Sequence, residues 1–184
     1  MFDRVPGHTC VKRLNYQLAD AFNFESDFEH AETVIFSCGV NDLARYGQTA
    51  YSLADIVCPR LVSCCKRYKN TNFVFSSLTF TRDRWLNDEI DRFNLILRDL
   101  ARDIPNLAFF DAHGLVSQLR AFTVWEREDR HGIHLCFDVM RAVARGLVNC
   151  VGKLAGSYLR HHKNYEWLYY APTGFNQHLS RALF

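Results

Sequence analysis

Two rhythms of apolar and polar residues run along this chain. In the first, apolar residues follow one another almost without interruption, as they do over 33–38, and further strands are expected over 72–78 and 107–110. Such runs suit strands covered on both faces, the situation in a parallel sheet. In the second, apolar residues return every three or four positions and so share one side of a helix. Over 9–22 that side is Val11, Leu14, Leu18 and Phe22, with Thr9 placed to cap it. A second helix opens at Ser52-Leu53-Ala54-Asp55, a capping-box pattern. Its inner face is Leu53, Ile56, Val57, Leu61 and Cys64, and Pro59 is the expected kink. The clearest period spans 86–104 through Leu86, Ile90, Phe93, Leu97, Leu100 and Ile104, and Pro105 stops it. A last helix over 137–154 buries Val139, Val143, Leu147, Val151 and Leu154. Strands alternating with helices predict an α/β domain around a parallel sheet.

From Gly156 the rhythm is lost, which divides the chain into a domain over 1–155 and an aromatic, basic tail over 156–184. The tail carries Arg160, Lys163 and Arg181 against Glu166, an excess equal to the net charge of the whole chain, +2. A basic segment with aromatics can stack on single-stranded nucleic acid, so RNA is one candidate partner for these residues. The plainer expectation is that its aromatics pack against the domain. A net charge this small gives no broader reason to expect nucleic acid or a membrane surface.

A length of 184 residues fits one core. The seven cysteines (Cys10, Cys38, Cys58, Cys64, Cys65, Cys136 and Cys150) are odd in number and form no C-x-x-C pair. That pattern indicates neither a disulfide framework nor a zinc knuckle, but buried thiols in a reducing compartment. There is no apolar leader after Met1 and no membrane-length apolar run, so the chain reads as intracellular and cytoplasmic. No cofactor and no metal are expected.

Chemistry is concentrated where strands end. The run 33–38 stops at Gly39-Val40-Asn41-Asp42, and His131-Gly132-Ile133-His134-Leu135 places a histidine just ahead of the last helix. In open α/β sheets polar groups gather at the carboxyl ends of the strands, where loops converge. These blocks, together with Val5-Pro6-Gly7-His8-Thr9, resemble three of the four sequence blocks of the SGNH (GDSL-type) esterase and lipase family. The wording over 37–47 and 86–90 looks closest to the esterase-like domains of non-LTR retrotransposons.

The resemblance implies a three-layer α/β/α sandwich with a flavodoxin-like parallel sheet and activity on a small ester or acylated substrate. It gives Gly7 and Asn41 the role of oxyanion donors, Gly39 the sharp turn at the strand end, and His134 that of general base. Two features depart from the family pattern. No Gly-Asp-Ser block, which would carry the nucleophilic serine on the first strand, occurs in the sequence. The family's orienting aspartate three residues before the base is replaced by His131, while Asp129 lies two residues further back.

The expectation is therefore a hydrolase-type domain that lacks the first strand and is inactive or very weak. The other reading is a non-catalytic RNA- or protein-binding module of retroelement origin. Cys10, Ser37 and Cys38 are the substitute nucleophiles available, and His131, His134 and Cys136 form a thin candidate metal set. Loss of the first strand would leave 33–38 as an open edge, filled by 167–171 or by self-association.

Overall fold

The computed structural model describes residues 18, 22–46, 48–119, 124–127, 129–130 and 132–161. Three parallel strands, β1 (Thr33–Phe36), β2 (Asn72–Ser76) and β3 (Leu107–Phe110), lie in the order β1-β2-β3. The register builds rows across the sheet that explain the unbroken apolar runs. Val34, Phe73 and Leu107 form one row and Phe36, Phe75 and Phe109 another, both facing the same core. Between them, the row Ile35, Val74 and Ala108 faces the opposite core. Each strand thus needs apolar residues at odd and even positions alike.

Helices cover both faces and make the three-layer α/β/α arrangement. The first face receives α2 (Ala50–Arg67) and α3 (Arg84–Arg102), with a 3-10 helix over Phe22–His30 and the short α1 (Val40–Tyr46) alongside. Its centre is aromatic: the Phe36 ring lies 5.4 Å from Phe22 and 6.3 Å from both Phe73 and Phe75. Phe73 is fully buried there, and truncation to alanine would cost about 3–5 kcal/mol. The second face receives α4 (Ala112–Gln118) and α5 (Phe137–His161) through Val116, Val139, Val143, Leu147 and Val151.

Several elements differ in extent from their expected ranges. α2 starts earlier, because Thr49 is its N-cap and exchanges hydrogen bonds with Ser52 in a capping box shifted from Ser52–Asp55. Pro59 lies inside that helix. α3 begins at Arg84, capped by the Asp83 carboxylate, which accepts from the Trp85 and Leu86 N–H groups. The turn after β1 opens α1 directly, with the Asp42 and Leu43 N–H groups donating to the Gly39 carbonyl. α5 continues to His161, past the point where its apolar period fades, since backbone hydrogen bonding outlasts the buried stripe. Of the helix expected over 9–22, Leu18 and Phe22 are described, and both are buried.

β1 is an edge strand among the described residues. The segment 167–171, proposed to cover that edge, lies outside them. No described helix is long and apolar enough to cross a membrane.

Candidate active site

Because the three strands are parallel, their exits share one edge: Ser37–Gly39 after β1, Ser77–Arg82 after β2 and Asp111–His113 after β3. The β2 and β3 exits are tied together by hydrogen bonds. The Ser77 N–H donates to the Phe110 carbonyl at 2.8 Å, and the His113 N–H donates to the Ser77 hydroxyl at 2.8 Å.

The β2 exit is held from beneath by α3. Asn94 forms a pair of hydrogen bonds with the Leu78 backbone, accepting its N–H at 2.8 Å and donating to its carbonyl at 2.9 Å. One heptad earlier, Asn87 does the same to Thr81, at 2.6 and 3.0 Å. Seven residues are close to two helical turns, so the two carboxamides share a face of α3. A loop whose backbone groups are bonded in this way is stiffer than its lack of secondary structure implies.

This segment then anchors both halves of the candidate site. At one end the Leu78 side chain packs on Gly39, where an added Cβ would lie 3.4 Å from it. Gly39 has φ +127°, a conformation open to glycine and strained for other residues. Two residues on, Asn41 is half-buried at the start of α1, and its carboxamide makes no hydrogen bond with a described residue. Asp42 is almost fully buried, and both its oxygens lie within 3.0 Å of the Leu18 N–H.

At the other end, Arg82 packs against Gly132, where an added Cβ would lie 2.6 Å from Arg82 Cγ. Phe80 meets Trp125 edge to face at 5.5 Å, and the Trp125 indole N–H donates to the Phe80 carbonyl at 3.3 Å. Four residue steps separate the two anchors, so they stand at most roughly 14 Å apart.

The loop over 124–136 folds around one carboxylate. An antiparallel bridge pairs Trp125 with Leu135, closed by the Glu126 N–H on the His134 carbonyl and the Cys136 N–H on the Val124 carbonyl. The Gly132 N–H donates to the Asp129 carbonyl, and the left-handed conformation of Gly132, at φ +62°, sets the direction of the residues that follow it. The Asp129 side chain accepts from the backbone N–H groups of Gly132, Ile133 and His134 at 3.2, 2.7 and 2.5 Å. Its Oδ2 also lies 3.0 Å from His134 Nδ1.

Asp129 thus reaches His134 although it stands five positions before it rather than three. The left-handed turn at Gly132 shortens the path. A histidine whose Nδ1–H is donated to a carboxylate presents Nε2 as the acceptor. The His134 side chain is 58% exposed, so that nitrogen is open to a reactant, while Asp129 is 9% exposed and shielded.

The other substitute residues fall differently. Ser37 is exposed at the β1 exit. Cys38 points into the core, and burial, with the Asp42 carboxylate second, pushes its thiol up to about 12. Gly7, Cys10 and His131 lie outside the described residues, as do Lys163, Arg181 and the side chain of Arg160. Among the described residues no group of three or more His, Cys, Asp or Glu stands close enough together to hold a metal. A cavity of about 290 Å³ is lined by Phe22, Glu25, Arg60, Ser63 and Cys64.

Fold and site geometry together define an α/β sandwich of the kind that places polar residues on loops at the carboxyl edge of a parallel sheet. Among solved structures, the chain is similar to an acetyl esterase, crystallised as a serine-to-alanine variant with an acetate ion. The TM-score is 0.62 at 17% identity, over 86% of this chain and 81% of that one. It is also similar to a protein from Streptococcus pneumonia provisionally described as a platelet activating factor. There the TM-score is 0.58 at 16% identity, over 73% of this chain and 67% of that one. At such identities the likeness establishes a shared esterase-like α/β fold. No protein-family model and no curated protein sequence matches the chain.

Proposed function

We propose that the chain is an SGNH-type ester (acyl) hydrolase domain in which His134 is the general base, Asp129 orients it, and Asn41 with Gly7 stabilises the oxyanion. The observation that carries this reading is the 3.0 Å contact between His134 Nδ1 and Asp129 Oδ2, on a loop anchored to the same short segment as the Asn41 turn. With Nδ1–H held by the carboxylate, Nε2 takes the proton from an attacking water molecule. Asp129 then stabilises the imidazolium until the proton passes to the leaving alcohol. The uncommitted carboxamide of Asn41 is suited to meet negative charge that develops only in the transition state.

Turnover from this chain alone is expected to be slow. No serine stands in a Gly-Asp-Ser setting. The Cys38 thiol, pushed up to about 12, stays protonated at neutral pH. Hydrolysis of 4-nitrophenyl acetate tests the reading: a measurable rate above buffer that disappears in His134→Ala supports it, and equal rates for the two proteins contradict it.

Kinship with retrotransposon-encoded esterase-like domains is proposed with it, on the wording over 37–47 and 86–90. A reducing, intracellular setting fits the free thiols of Cys38, Cys58, Cys64, Cys65, Cys136 and Cys150. An RNA partner would rest on Arg160, Lys163 and Arg181, and binding insensitive to salt would remove it.

A further inference from the structure

Arg82 does more at this edge than fill space. Its guanidinium lies over the Trp125 ring, 5.2 Å from the centroid, and its stem and backbone pack on Gly132, two residues before His134. Arg82 is exposed, and among the described residues no carboxylate stands within ion-pair distance of it. Two nearby acidic groups are engaged elsewhere. Asp83 caps α3, and Asp129 serves three backbone N–H groups and His134. The Thr81 backbone, one residue before Arg82, is fixed by Asn87, which limits where the arginine can swing.

A stacked guanidinium loses little further freedom on binding and keeps its planar fork of N–H donors free for an anion. Stacking alone would be served as well by an apolar or amide side chain.

Resting on the hydrolase reading above, we infer that Arg82 forms an anion subsite beside His134, selecting substrates that carry a carboxylate or phosphate-like group a few bonds from the scissile ester. The anion would sit on the guanidinium edge away from Trp125, with the reacting carbonyl toward His134 Nε2. A succinyl-type acyl group carries its anion a few bonds from the ester carbonyl, whereas a neutral chain of equal length leaves the guanidinium to water.

The test compares 4-nitrophenyl hydrogen succinate with 4-nitrophenyl butyrate, which differ mainly in the terminal charge. Wild type is expected to favour the succinate in kcat/KM by about tenfold or more, mostly through KM. Arg82→Gln should bring the ratio close to one, and Arg82→Lys should retain part of it. A merely structural role would change both esters together and leave the ratio where it was.

Binding is read separately on His134→Ala protein by NMR titration with monoethyl succinate, ethyl phosphonoacetate and ethyl butyrate. Tighter binding of either anion, abolished by Arg82→Gln, supports the subsite even if no ester is hydrolysed, in which case only the hydrolase reading fails. The better of the two anionic ligands tells carboxylate from phosphate. No preference for an anion in either assay, or a preference that survives Arg82→Gln, overturns the subsite and leaves the hydrolase reading standing if the neutral ester turns over.

Discussion

The β1 exit and the loop before α5 hold their candidate residues by opposite means. The β1 exit is built into the core: Gly39 packs on Leu78, Leu43 is fully buried, and Asp42 holds the Leu18 N–H out of water. The loop over 124–136 stands on the surface, held by the Trp125 contact and by one carboxylate that gathers three backbone N–H groups and an imidazole. Damage at the first should be felt by the whole fold, and damage at the second by the site alone. A site made in this way fixes its oxyanion side by packing and its base by hydrogen bonding.

The largest expected effect falls on the loop. Asp129→Ala should lower any aryl-ester turnover by about 10²–10⁴-fold, comparable to loss of the base. Its urea midpoint should stay close to wild type, with hydrogen exchange accelerated at Gly132, Ile133 and His134. A large fall in the midpoint would show that the loop is part of the cooperative core. Next comes the opposite case, Asp42→Ala, which leaves the buried Leu18 N–H without its partner and should cost about 1–3 kcal/mol in urea unfolding.

Asn94→Ala tests the segment the two regions share. It should cost a similar amount, about 1–3 kcal/mol, and disturb both the Gly39 turn and Trp125, read as a change in tryptophan emission. An effect confined to one of them would break the common scaffold. Gly39→Ala should cost about 1–3 kcal/mol through backbone strain, since φ +127° is unfavourable for alanine even though the space is adequate. Gly132→Ala should instead displace the loop with a smaller change in global stability, because its Cβ would collide with Arg82.

A separate effect is expected at high pH. Burial raises the Cys38 thiol from an ordinary 9.0 to about 12, so the folded state retains a proton that the unfolded chain releases. Its contribution to stability is intact below pH 9 and is lost as pH rises toward 12, which a Cys38→Ala variant should reduce in a urea series across that range.

The strands and the principal helices were legible because burial on both faces of a sheet, or on one face of a helix, leaves its period in the sequence. The Gly39-Val40-Asn41-Asp42 turn could be read for the same reason, since it ends an apolar run abruptly. The supports of the site left no such trace. Asn87 and Asn94 sit in a helix whose polar residues look uniformly outward, and nothing local says that two of them turn inward to hold a loop. The contact between Arg82 and Gly132 joins residues far apart in sequence. Asp129 was recognised only as a distant substitute, because sequence distance to His134 says little until the turn at Gly132 is known. The Asp-x-x-Gly spacing of Asp129 and Gly132, a common turn pattern, was the signal that could have placed it.

The central claim is that Asp129 holds His134 as a base with Nε2 free, and ¹⁵N NMR of the His134 ring in wild type and Asp129→Ala tests it without relying on turnover. In wild type the neutral His134 ring is expected to carry its proton on Nδ1, facing Asp129 Oδ2, and to leave Nε2 unprotonated, and this preference is expected to be lost in the variant. A neutral His134 ring with the same tautomer in both proteins would contradict it.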